Sequence, residues 1–161
     1  MQQNKLINMC FLCVLNILFM LIGISLNSVV ILSLRRSSKH RNRLCNYMVL
    51  VLSCFDLAVV SITHPILISS TIFFFYGDYS ELREQIRITI CMMLDGFSMW
   101  ALLMLTIERF LGIMHPIFHR TSVTKARLSI VLGVLSVLNI MQSTLSFQNF
   151  LIPDNIIVVV Y

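Results

Sequence analysis

Residues 44–75 read LCNYMVLVLSCFDLAVVSITHPILISSTIFFF, an apolar run well beyond the roughly 20 residues a helix needs to cross about 30 Å of hydrocarbon. Its one carboxylate is Asp56 and its one proline is Pro65. Working outward, three further apolar stretches of sufficient length lie near 9–34, 88–113 and 128–151. The expected fold is all-α, a multi-pass transmembrane helical bundle of four spans within a single domain covering 1–161. Ten Met and eleven Phe against five Gly and three Pro suit packed helices better than a barrel of short strands joined by many turns.

Composition agrees. Of 161 residues, 58% are hydrophobic and 12% charged, with a mean hydropathy of +0.88, too little polar material to coat a water-soluble globule. The first stretch is too long for a signal peptide, and no small-x-small cleavage site follows it.

The net charge of +5 is distributed as a topology signal. The joint at 35–43 holds Arg35, Arg36, Lys39, Arg41 and Arg43, and the joint at 115–127 holds Arg120, Lys125 and Arg127. With Arg109 at the end of its span, nine of the twelve basic residues share one side. Lys5, Arg83 and Arg87 stand on the other side with Asp78, Glu81, Glu84 and Asp154. By the positive-inside rule the first group is cytoplasmic and the N-terminus extracellular. The basic run is read as contact with anionic membrane lipids rather than nucleic acid. Cys10, Cys13, Cys45, Cys54 and Cys91 lie in or at the edges of the spans, so they read as small buried hydrophobes.

Polar groups inside the spans are costly unless paired or hydrated, and four stand out: Asn27, Asp56, Asp95 and Arg109. Asp56 lies roughly 18 Å from the cytoplasmic start of its span, near the midplane. It is read either as a functional carboxylate with partners or an ion, or as a neutral acid bonded to neighbouring helices. On a helical projection Cys91, Asp95, Ser98, Leu102, Leu105 and Arg109 fall on one face, with Glu108 off it and Trp100 nearly opposite. Ser98 lies roughly 16 Å along the axis from Arg109, close to the depth of Asp56.

These residues resemble the rhodopsin-like (class A) G protein-coupled receptors. GISLNSVV carries a Gly-x-x-x-Asn pattern at Gly23 and Asn27. NYMVLVLSCFDLAVV is similar to the family's second-span signature through Asn46, Tyr47, Leu52, Asp56 and Leu57, with Pro65 at a common kink. SMWALLMLTIERFLGIMHPIF matches the third-span ending through Ser98, Leu102, Glu108, Arg109, Phe110, Pro116 and Ile117. Three motifs in the right spans and order cover nearly the whole chain.

The resemblance implies a receptor that binds an extracellular ligand and signals to a heterotrimeric G protein at the plasma membrane. It implies a sodium site at Asp56 and Ser98, and an interhelical network of Asn27, Leu52 and Asp56. Arg109 would pair with Glu108 at rest and meet the G protein when released, with Phe110 and Pro116 completing the motif and Ile117 entering the G protein. The alternative for Arg109 is an interfacial snorkelling anchor. Cys91, Asp95 and His64 are candidate ligand-pocket residues, although Asp95 reads equally as a link to the sodium network. No cofactor is expected beyond the sodium ion.

The sequence departs from the family at Glu84, where most members carry a disulfide-bonded Cys, and its sole Trp, Trp100, is not at the usual fourth-span or loop position. These departures resemble the melanocortin receptors and their lipid- and cannabinoid-receptor relatives. About four of seven spans are present, with Pro153, Asp154 and Asn155 reading as a turn before a further segment, so an incomplete receptor or truncated isoform is expected. The structural alternative is a stand-alone four-helix membrane protein that associates with other receptors, as in a receptor dimer, without signalling. An enzyme is not expected: His40, His64, His115 and His119 are scattered, and no catalytic motif accompanies them.

Overall fold

The computed structural model describes residues 2–36 and 44–151. Lys39, His40, Arg41 and Arg43 of the first joint, and the turn expected at Pro153, Asp154 and Asn155, lie outside the described residues. Five helices follow in order: α1 (Gln2–Arg36), α2 (Leu44–Phe75), α3 (Glu81–Met114), α4 (Pro116–Ser122) and α5 (Lys125–Leu151). Four of them, α1, α2, α3 and α5, are long and apolar enough to cross a membrane.

Three helix limits extend past the apolar runs, because polar residues continue a helix wherever its backbone bonds are still made. α1 begins at Gln2 rather than near residue 9, α3 at Glu81 rather than near 88, and α5 at Lys125 rather than near 128. The joint read at 115–127 contains the short helix α4. Pro116 opens it at a position where a missing N–H costs nothing and the fixed φ already suits a helix. α2 runs through Pro65, which has no N–H to give to the preceding turn.

The α2–α3 connection is a Schellman turn. Asp78 N–H donates to the Phe73 oxygen at 3.1 Å and Gly77 N–H to the Phe74 oxygen at 3.3 Å, with Gly77 at φ +78°, the left-handed conformation a glycine adopts without a Cβ clash. Arg83 then folds back on the turn. It donates to the Asp78 main-chain oxygen and carboxylate at 3.1–3.2 Å and places its guanidinium 4.4 Å from the Phe73 ring centroid.

Packing is sequential, α1 on α2, α2 on α3 and α3 on α5, so α3 is central, with α4 against its end. The buried centre is made by Met48 of α2, Ala101 and Met104 of α3, and Leu128 and Leu132 of α5. Trp100 packs beside it as a neighbour-filling indole. The Phe55 and Phe97 rings stack at 5.7 Å between α2 and α3. Most remaining apolar side chains are exposed, among them Phe11, Phe19, Leu26, Val29 and Leu32 of α1. In lipid such a face has no drive to be buried, and helices associate through close packing and a few interhelical hydrogen bonds.

Candidate functional site

The packed face of α3 repeats at Ala101, Met104 and Glu108, all buried. The polar stripe read from the sequence runs alongside that face rather than on it: Asp95, Leu102 and Arg109 are exposed, while Cys91, Ser98 and Leu105 are half-buried. Glu108, the one strongly polar residue off the stripe, is the residue the fold buries.

At mid-depth Ser98 Oγ donates to Asp56 Oδ1, tying α3 to α2. Both groups offer oxygens, the donor class that hard cations take, so their chemistry fits a small cation. Asp56 would hold it by charge and Ser98 by its hydroxyl oxygen. Among the described residues, no group of three or more His, Cys, Asp or Glu side chains converges on a metal position. Leu52 packs against the buried centre one helical turn from Asp56. Asn27 donates to the Gly23 oxygen in its own helix at 3.0 Å. The α1–α2 contact at this level is Gly23 against Val60, where an added Cβ would stand 2.7 Å from a Val60 methyl.

Among the described residues, the C-terminal end of α3 carries the one buried charged side chain. The Glu108 side chain is 5% exposed, and its Oε1 accepts from His119 Nε2 of α4 at 3.0 Å. Its Oε2 makes no hydrogen bond. Arg109 Nε stands 4.0 Å from that Oε2, and the Arg109 side chain is 62% exposed, next to Cys45 at the start of α2. The expected pair of Arg109 and Glu108 is present in loosened form. It is a contact at the limit of an ion pair, because the carboxylate is turned inward to the imidazole while the guanidinium points out. Phe110 is exposed, as is Pro116, and Ile117 projects from α4 at 81% exposure. Nearby, Tyr47 OH and Ser129 Oγ lie 2.7 Å apart and join α2 to α5, with the Lys125 ammonium 5.7 Å from the Tyr47 ring centroid.

At the opposite end the three candidate pocket residues are not assembled as one group. His64 Nδ1 meets Asn16 Oδ1 of α1 at 3.0 Å, so its ring is engaged on the α1 side. Thr63, buried, is the α2 residue that faces Cys91. Asp95 is exposed. A cavity of about 360 Å³ opens further out, bordered by Ser70, Tyr79, Arg83, Glu84 and Arg87 with apolar Leu12 and Phe73. Glu84 pairs there with Arg87 and accepts from Ser70 Oγ at 3.0 Å, linking α3 to α2.

Sequence reasoning missed His119, Asn16, Ser70 and Asn139 as partners. For His119 a signal existed: it stands three residues past Pro116, on a helix that the proline starts.

A family model described as 7 transmembrane receptor (rhodopsin family) matches residues 26–152. No curated protein matches the chain.

Proposed function

Since the chain belongs to the rhodopsin family of seven-transmembrane receptors, and is a multi-pass membrane protein, we propose that it binds an extracellular ligand and passes the signal to a heterotrimeric G protein at the plasma membrane. The observation that carries this reading is the end of α3 and its neighbour α4. Arg109, exposed beside Cys45, meets the buried Glu108 only at the 4.0 Å limit of an ion pair, and Ile117 projects from α4, which packs on this end of α3. A cation that can leave its acid and an unpartnered apolar side chain together suit a docking protein partner. Phe110 and Pro116 shape the same surface. The positive charge gathered at this end supports a cytoplasmic position for it and an extracellular N-terminus.

In this reading Asp56 and Ser98 hold a sodium ion at mid-depth, and Leu52 packs one turn away, while Asn27 braces α1 through its bond to the Gly23 oxygen. The outer cavity, with Cys91 and Asp95 below it, is the ligand side. His64 supports that side through its bond to Asn16 of α1 rather than by lining the pocket. Glu84 stands where most of the family has its disulfide-bonded Cys, and this departure, with the absent loop Trp, supports a place near the melanocortin, lipid- and cannabinoid-receptor branch.

The test is Arg109→Ala in a seven-span receptor that carries this sequence. Ligand binding is retained and G protein nucleotide exchange falls by about 10²-fold or more, the scale at which an interface Arg anchor acts. Unchanged exchange would remove the role assigned to Arg109.

A further inference from the structure

Glu108 offers one carboxylate to two cationic claimants. His119 reaches Oε1 at 3.0 Å from α4, and Arg109 stands 4.0 Å from Oε2 on α3 itself. The carboxylate is buried, so its charge is felt strongly by both; His119 is 23% exposed, so water can deliver a proton to it. A neutral imidazole already donates Nε2–H to the carboxylate, leaving the full negative charge to attract Arg109. A protonated imidazole forms an ion pair with the same carboxylate and cancels most of that charge.

We propose that His119 is a proton-operated competitor for Glu108. Protonation at this aqueous end tightens α4 onto α3 and frees Arg109. Imidazole is the side chain whose charge ordinarily changes between about pH 5 and 8, which sets the pH range of the test. Among the described residues, the other titratable or charged groups around the pair are these. Arg109 lies on α3, Cys45 lies beside Arg109 at the start of α2, and Arg127 of α5 donates to the Ser122 oxygen at the end of α4. His115 and Arg120 belong to α4 or its cap. His119 is thus a positioning residue acting through Glu108. The proposal rests on Arg109 being the coupling switch for its meaning, though not for its test.

The test uses the 161-residue chain in lipid nanodiscs with no G protein present. Arginine modification by phenylglyoxal is followed by peptide mass spectrometry, and Arg109 labelling is divided by that of exposed Arg120, which cancels the reagent's own pH dependence. In the wild type the ratio rises about threefold from pH 8 to pH 6, as an ion pair replaces the hydrogen bond from the neutral imidazole. In His119→Gln, which keeps a donor but cannot titrate, the ratio is flat. In Glu108→Gln it is high and flat. A trifluoromethyl-phenylalanine replacing Phe118 supplies a second readout: its ¹⁹F resonance moves with pH in the wild type and stays fixed in His119→Gln. A flat wild-type ratio, or an equal rise in His119→Gln, overturns the proposal and leaves the coupling reading to the Arg109→Ala experiment.

Discussion

Asn139 of α5 donates its amide Nδ2 hydrogen to the main-chain oxygen of Met93 on α3 at 2.8 Å, and the same carboxamide lies against Gly96, one turn further along α3. Asn139 is 8% exposed, so this bond is the buried polar tie of the α3–α5 interface. A Cβ at residue 96 would overlap the Asn139 carboxamide, which cannot move aside without giving up Met93.

Gly96→Ala therefore lowers stability by about 1–2 kcal/mol, the loss of an interhelical hydrogen bond together with local repacking. Asn139→Ala costs a similar amount. The two changes together cost much less than their sum, because the alanine at 96 then has nothing to strike. Thermal unfolding of the four proteins in one detergent measures the cycle. Additive losses would show that Gly96 and Asn139 do not share this contact.

This tie illustrates what a sequence exposes and what it conceals. The four spans were legible because lipid demands uninterrupted apolar length, and the depth of Asp56 and Ser98 was legible because rise per residue is constant. Both quantities belong to one helix at a time. The partners of Glu108, His64, Glu84 and Asn139 depend on how helices cross, which the periodicity of a single helix does not encode. The open Asp95–Arg109 stripe and the buried Glu108 show the same limit. Projection identified the polar face of α3, while packing by α2, α4 and α5 selected a neighbouring face to bury.

The α2–α3 turn and the first turns of α3 carry two ion pairs of contrasting exposure. Arg83–Asp78 has side chains 43% and 62% exposed, whereas Arg87–Glu84 is 20% and 27% exposed and shares its carboxylate with Ser70. Salt at about 1 M, with a Debye length of roughly 3 Å, screens the exposed pair much more than the half-buried one. Glu84→Gln therefore lowers stability by about 1–2 kcal/mol at both low and high salt, as expected when a hydrogen-bonded charge is left without its partner. Asp78→Asn costs less than about 1 kcal/mol at low salt, and most of that disappears at high salt. Denaturation of both variants across a salt series separates the cases. A Glu84→Gln effect that vanished with salt would show that the α2–α3 link is a surface ion pair without the role of an anchor.

The mid-depth pair supplies a test that needs no ligand or partner. If Asp56 and Ser98 hold sodium, the ion binds the folded bundle and not the unfolded chain, so it stabilises by mass action. The gain is roughly 1.4 kcal/mol at ten times its Kd. Unfolding temperature in NaCl should then exceed that in KCl of equal ionic strength, which removes general screening from the comparison. Asp56→Asn abolishes the difference by removing the charge, and Ser98→Ala reduces it by removing one oxygen while freeing Asp56 from its α3 donor. The two variants also part in baseline behaviour. Ser98→Ala leaves a half-buried carboxylate without that hydroxyl and lowers stability in KCl, whereas Asp56→Asn retains an acceptor for Ser98 and removes the charge that lipid disfavours. Equal unfolding temperatures in the two salts for the wild type, or a sodium effect that survives Asp56→Asn, would reduce the pair to a structural hydrogen bond between α2 and α3.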